Sequence, residues 1–354
     1  MRATLRIAVA LILFAVVSSP APAAQKLDLQ FRPAPSDAQT LKVTSVLIMS
    51  YAAGPQQQEV ANTRTITLAF EPGETTRDGA VQVRLRFVAI QEKSGMPGAP
   101  APKEYDSTKA QDSDDPLGGY YSAFIGASLP AEVSARGEIV EMATDELFLA
   151  VAENTMKRED EMMRQRLGQR AEQAIERTNQ RFGSREGRKQ ALRKQVEAFP
   201  LLNRDRLQAL VGSLILRFPD EPVQVGESWD KPIAVDGATS FEMQGTYTLK
   251  LTESGRCAIA LSGQRSMQDD PIISQTGPTQ TSMRLAGTYK AMIDIDPKTG
   301  LLLGKQAQMK FTGETQMANQ SSQGQPASMQ ITMEGTNTTV VEVVTPAAPS
   351  SGTR

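Results

Sequence analysis

Histidine is absent from all 354 residues, and cysteine and tryptophan occur once each. Without imidazole the chain cannot assemble a Ser-His-Asp or Cys-His catalytic set, a histidine metal site, or the usual proton shuttle near neutral pH. Zinc sites mostly draw on cysteine and histidine, and here only carboxylates and one thiol remain. That thiol, Cys257, has no partner for an internal disulfide. It lies in the apolar run 257–261, which reads as a strand holding a buried, inert sulfur. A phosphate-cradling glycine loop and a nucleophile elbow are missing as well. Paired carboxylates remain available for hydrolysis, yet no pair stands out. These absences point away from an enzyme and away from a cofactor.

An excess of one charge is also lacking. The formal net charge is −2, and loss of Arg2 and Arg6 with an N-terminal leader takes it to −4, which speaks against a nucleic-acid partner. Long apolar runs are confined to 7–17. Arg2 and Arg6 flank its start, and Ala21-Pro22-Ala23 supplies small residues at cleavage spacing. This predicts a signal peptide over 1–23 rather than a membrane span, because the run is too short to cross a bilayer. No cysteine lies near the cut, so a lipid anchor is not expected. The mature chain is expected in the periplasm or outside the cell, with no transmembrane span.

What is present is strand alternation. Residues 41–51, 64–70 and 81–87 read as three antiparallel neighbours, with Ile66, Leu68 and Phe70 on one face of the second. Periodicity is lost over 92–118, where prolines and the acids Asp112, Asp114 and Asp115 collect; their spacing fits no calcium loop, and a solvated loop is the plainer reading. Residues 132–141 read as another strand. From 145 to 199 charges crowd and Met163, Leu167, Ala171 and Ile175 recur every fourth position, which predicts helix, broken by Gly183 and Gly187. Basic residues outnumber acidic ones twelve to eight over 153–197. The narrow apolar stripe lets this region project, or pair as a coiled coil with a protein partner. A further helix, capped by Asn203, carries Leu207, Leu210, Val211, Leu214 and Ile215. Strands resume at 239–251 and 257–264, then a polar loop over 266–282, a hairpin of 288–294 with 301–309, and a final pair, 311–317 with 327–344. The chain therefore divides into a leader 1–23, a β half 24–144, a helical insertion 145–217, a second β half 218–345 and a tail 346–354.

Residues 216–236, LRFPDEPVQVGESWDKPIAVD, join the insertion to the second half. Pro219 ends the helical segment by pushing its predecessor out of helical geometry. Pro222 sets an extended entry, Val223 and Val225 alternate as a short strand would, and Gly226 tolerates positive φ. Trp229 is expected to cover one end of the sheet, with a ligand platform as the functional alternative. The run "PVxVGxxW", Pro222 to Trp229 with Pro219 ahead of it, resembles an uncharacterised bacterial secreted family of the domain-of-unknown-function 6263 type. A later "GxYxxxIxIDxxTG" (Gly287, Tyr289, Ile293, Ile295, Asp296, Thr299, Gly300) extends the resemblance over roughly the C-terminal half. It implies a fold and a cell-envelope setting and transfers no catalytic residue. Strand order offers a looser analogy to periplasmic lipoprotein-carrier folds.

Two metal motifs fail on inspection. In Asp294 to Gly300, lysines (Lys298 and Lys305) stand where a calcium loop needs its third ligand and its glutamate, so a hairpin turn is expected. The 15 methionines form no tight Met-x-x-Met repeat for Cu(I) and suit apolar sheet faces instead. The expected fold is mainly β (α+β): curved antiparallel sheets with a charged helical insertion, the shared rhythm of the halves allowing a duplicated half-barrel. The expected function is a non-catalytic envelope protein holding a lipid or other hydrophobic small molecule in a sheet concavity. The alternative is an interaction module docking a protein through 153–197.

Overall fold

Apolar–polar alternation organises one antiparallel sheet. The computed structural model describes residues 26–53, 56–95, 102–109, 116–198, 202–236, 240–253, 255–276, 279–319 and 328–344. The leader, the acidic cluster at 112–115 and the tail lie outside these residues. The strands are β1 (Gln39–Ala53), β2 (Gln56–Thr75), β3 (Val81–Ser94), β4 (Lys103–Asp106), β5 (Ser128–Val133) and β6 (Ile139–Met142), then β7 (Ser228–Val235), β8 (Phe241–Glu253), β9 (Arg256–Arg265), β10 (Ile272–Thr276), β11 (Thr279–Ile295), β12 (Leu302–Asn319) and β13 (Ser328–Val344). The helices are α1 (Pro116–Phe124), α2 (Thr144–Leu167), α3 (Ala171–Arg181), α4 (Arg185–Glu197) and α5 (Arg204–Leu214).

All 13 strands share a sheet ordered β6-β5-β3-β2-β1-β13-β12-β11-β9-β8-β7, with β4 on β3 and β10 on β11. The two halves meet where β1 pairs with β13, from Thr40 opposite Val344 to Ala52 opposite Thr332. They form a single sheet, with α2 to α5 inserted between them in sequence. β9 and β10 both lie along β11, so they act as one strand line interrupted at 266–271. This breaks up the polar loop expected over 266–282, because pairing with a long neighbour supplies the backbone bonds that the local sequence does not announce.

One parity of each strand faces the core: Val81, Val83, Leu85 and Phe87 on β3, Tyr247 and Leu249 on β8, Ile293 and Ile295 on β11 are all buried. The other face is polar. On β12 its positions are Gln306, Gln308, Lys310, Thr312, Glu314 and Gln316. Helices cover the two flanks: α2 and α1 lie against the β5 and β3 side, and α5 lies against β7 and β8. The helix breaks fall at Gly168 (φ 52) and Gly183 (φ 80), whereas Gly187 sits inside α4, where the Ser184 hydroxyl caps the first turn by accepting from the Gly187 N–H at 3.0 Å. α4 is anchored to α2 by the fully buried Arg188, which donates to Asp160 and Glu159, each at 2.7 Å.

Several elements escape the local pattern. Residues 132–141 are two strands, β5 and β6, turning at Gly137. The run at 92–118 contains β4 and the start of α1. β12 is continuous from 302 to 319, joining what reads as two strands. The Asp294–Gly300 segment is a hairpin turn: the Gly300 N–H donates to the Asp296 carbonyl at 2.8 Å, and the Lys298 N–H to the Asp296 carboxylate at 2.8 Å. A side chain at Gly300 (φ 72) would strike the Gln30 carbonyl, 2.3 Å from its Cβ.

Candidate functional site

The signature residues build a corner. Val223 exchanges backbone bonds with Leu27 at 2.7 and 2.9 Å in an isolated bridge, while Val225 is exposed, so the short strand expected here is a bridge followed by a turn. Pro219 is buried and Pro222 exposed. Gly226 (φ 94) donates its N–H to the Leu249 carbonyl, and the Glu227 carboxylate accepts from the Gln224 N–H. Trp229 stacks on Tyr247 with centroids 5.6 Å apart and donates its indole N–H to the Arg217 carbonyl at 3.0 Å. Its ring and its single donor are thereby engaged within the protein. Cys257 is buried in β9, where burial pushes its thiol pKa up, the direction of an unreactive sulfur.

The chemistry the sequence does not announce lies on the concave face. A largely buried polar tier lies at the level of α5, with side chains from β3, β2, β13 and β12. Arg64 on β2 pairs with Asp236, just past β7, at 3.3 Å, and Asn337 on β13 donates to the Asp236 carbonyl at 2.8 Å. Glu92 on β3 accepts from Tyr121 of α1. Lys305 on β12 donates to the Ser213 carbonyl of α5 at 2.8 Å. Burial drives the Lys305 pKa down to about 8, with Asp236 opposing. Burial likewise lowers Arg206 of α5, helped by the like charge of Arg64. Burial also opposes the Arg64 charge, but Asp236, Tyr121 and Glu92 together more than offset it and the pKa is raised. Periodicity cannot show this tier, since Arg64, Glu92, Asn337 and Lys305 stand on core-facing positions of strands distant in sequence.

Beyond the tier, β8 and β9 stop and the sheet narrows to β10, β11, β12, β13, β1 and β2. The inner side of this extension carries Leu47, Met49, Met283, Met333 and Ile272, all half-buried, around the buried Leu285 and Phe311. Glycines let the large side chains lie down on the backbone. Leu285 and Met333 converge over Gly313, at 2.5 and 3.4 Å from where a Cβ would stand, and Phe311 lies over Gly335 at 2.9 Å. The face is packed with its own flexible side chains, much of it methionine, whose unbranched thioethers adapt readily. Open grooves of about 500 Å³ include one lined by Glu71, Arg84, Glu132 and Glu141, another of about 530 Å³ on the outer face beside Lys310 and Thr336, and one of about 460 Å³ at this extension, lined by Tyr51, Met267, Thr312 and Met333. No metal-binding group of histidine, cysteine or acidic residues occurs among the described residues.

Comparison with known proteins follows from this geometry. Residues 171–302 match the family of unknown function DUF6263. The DUF6263 region runs from α3 to the start of β12 and takes in both the Pro219–Trp229 corner and the Gly287–Gly300 hairpin. No curated protein sequence matches the chain. Among solved structures, one concerned with lipid–protein interactions in lipovitellin superposes with a TM-score of 0.42 at 9% identity, covering 90% of this chain and 26% of that one. The chain thus spans about a quarter of the lipovitellin chain it matches. A porin of Rh. blastica (TM-score 0.20, 8% identity, 85% and 99% coverage) and OccK7 of Pseudomonas aeruginosa (0.17, 7%, 87% and 99%) are more remote. No described helix is long and apolar enough to cross a membrane.

Proposed function

We propose that this is an exported, non-catalytic protein of the bacterial cell envelope that binds a hydrophobic small molecule or lipid on the concave face of its sheet. The observation that carries the reading is the inner side of the narrowed extension, where Leu47, Met49, Met283, Met333 and Ile272 stay half-buried, while α1, α2 and α5 pack mainly against β3, β4, β5, β7 and β8. An apolar concave surface left wet costs free energy roughly in proportion to its area, and methionine side chains can move aside for an occupant without a fixed cavity. The apolar leader at 7–17 supports export. Native mass spectrometry of the mature protein, before and after solvent extraction, is the test. The expected result is one hydrophobic molecule per chain, lost on extraction while the protein stays folded. A Met333→Glu variant should retain at least about tenfold less, since a buried unpaired carboxylate opposes an apolar occupant. A clean apo mass from freshly exported protein would sink the proposal.

A second reading, docking of a protein partner through the helices, is favoured by Leu167 and Phe182. Both are nearly half exposed, at the end of α2 and just past α3. A dimer abolished by Leu167→Lys with Phe182→Lys would support it.

A further inference from the structure

Resting on the ligand reading above, we propose that the occupant is an uncharged lipid bearing a hydroxyl or carbonyl oxygen, and that the Thr315 hydroxyl is its polar contact. Thr315 lies on the inner face of β12, in the narrowed extension. It is 2% exposed, and its hydroxyl meets no hydrogen-bond partner. Register fixes its surroundings. Met283 of β11 stands directly across from it on one side and Ile331 of β13 on the other. The next inner position on β12 is Gly313, aligned with Leu285 and Met333. Leu285 Cδ2 and Met333 Cγ lie 2.5 and 3.4 Å from where a Gly313 Cβ would stand, so both side chains lean over the glycine. The buried hydroxyl is thus bordered by apolar side chains from both neighbouring strands.

A second hydroxyl on this stretch supplies the contrast. Tyr51 of β1, aligned with Met333, donates to the side-chain carbonyl of Gln58 on β2. That group is satisfied within the protein, and the Thr315 hydroxyl is not. A buried hydroxyl with no partner has lost its water without return. A ligand oxygen answers it, because a hydroxyl can both donate and accept.

The class of ligand follows from charge. The inner positions aligned across the extension here are Tyr51, Met333, Gly313 and Leu285 in one row and Ile331, Thr315, Met283 and Ile272 in the next. Neither set contains an acid or a basic side chain. Arg265 stands at the corner, two strands away from Thr315, with Leu285 between them. Its guanidinium is turned to the β8 side, 5.3 Å from the centre of the Phe241 ring, and donates to the Asp270 carbonyl. A carboxylate or phosphate brought to Thr315 would be buried with one donor and no counter-charge, which costs far more than burying an alcohol. An alcohol or ester oxygen exchanges a hydrogen bond to water for one to Thr315 and leaves no charge unpaired. The unbranched side chains of Met283 and Met333 can shift to admit it.

The test is calorimetric titration of the delipidated full-length mature protein with dodecan-1-ol and with dodecanoate, which share a chain and differ in charge. At about pH 8, where a carboxylate is ionised, dodecan-1-ol is expected to bind at least about tenfold more tightly, because dodecanoate has to bury its charge unpaired. Thr315→Val should weaken dodecan-1-ol by about three- to tenfold, the scale of one neutral hydrogen bond. The ligand-free melting temperature of that variant should stay level or rise, because an unsatisfied buried hydroxyl has gone. Thr315→Ser keeps the hydroxyl and should bind dodecan-1-ol like the wild type. If Thr315→Val does not fold, the comparison of the two probes on the wild type carries the test. Dodecanoate binding as tightly as dodecan-1-ol, or Thr315→Val binding dodecan-1-ol like the wild type, overturns the assignment and leaves the hydrophobic-ligand reading standing. Failure of both probes to bind overturns both.

Discussion

Lys305 is the residue whose burial has the clearest energetic consequence. Its ammonium is held by one carbonyl in a core position of β12, and its pKa falls from 10.5 to about 8. A base with a depressed folded pKa binds fewer protons when folded than when unfolded across the interval between the two values. Stability must therefore rise as pH increases from about 8 to about 10.5. At about 1.4 kcal/mol per unit, the gain is on the order of 3 kcal/mol. Urea unfolding at several pH values should show this rise in the wild type and not in Lys305→Met, so the difference between the two proteins isolates it. A difference that stays constant with pH would mean the ammonium is solvated after all. The residues of the Pro219–Trp229 corner behave otherwise: their contacts are backbone bonds, a turn and a ring stack, and the turn at Gly226 was visible as a residue type, whereas the strand expected at Val223 and Val225 is a bridge followed by a turn.

At the scale of elements, the inner-face glycines set how closely neighbouring strands can share space. A Cβ on Gly245 would lie 2.0 Å from Ile233 Cδ1, and one on Gly263 would lie 2.9 Å from the same atom. Gly245→Ala is expected to cost about 1–3 kcal/mol through overpacking. Trimming the opposing side chain in Gly245→Ala with Ile233→Ala should recover part of that loss, a coupling that a double-mutant cycle in urea reads directly. Additive losses would show that the clash relaxes elsewhere. The elements also mark what could be read beforehand. β3 and β8 announce themselves by alternation, and α5 by its cap, where Asn203 accepts from the Arg206 N–H at 3.0 Å. β7, β10 and α1 do not: β7 and β10 form hairpins with the long strands that follow them, β8 and β11, but carry little apolar–polar alternation of their own. The polar tier was hidden for a different reason: a core-facing arginine, asparagine or lysine looks like an interruption until its neighbours from other strands are in place.

For the whole molecule, the pairing of β1 with β13 and a single hydrophobic core that draws on both β halves predict one cooperative unit. Trp229 reports the second half alone, while far-ultraviolet circular dichroism reports both. Their urea transitions are expected to coincide; separated midpoints would show that the halves unfold as independent domains. The strand order carries a further consequence. The middle of the sheet is made from the first strand and the last, so the central pairing has the longest sequence separation in the chain. Loop closure of that span has to precede the contacts that reward it, which makes the reaction slow. A ribosome or a membrane channel releasing this chain from its N-terminus would withhold β13 until the end, and β1 would wait with only β2 beside it. Completion of the fold is thus timed by delivery of the C-terminal strand, and a chain that has to pass through a translocation channel unfolded would acquire that delay from topology alone.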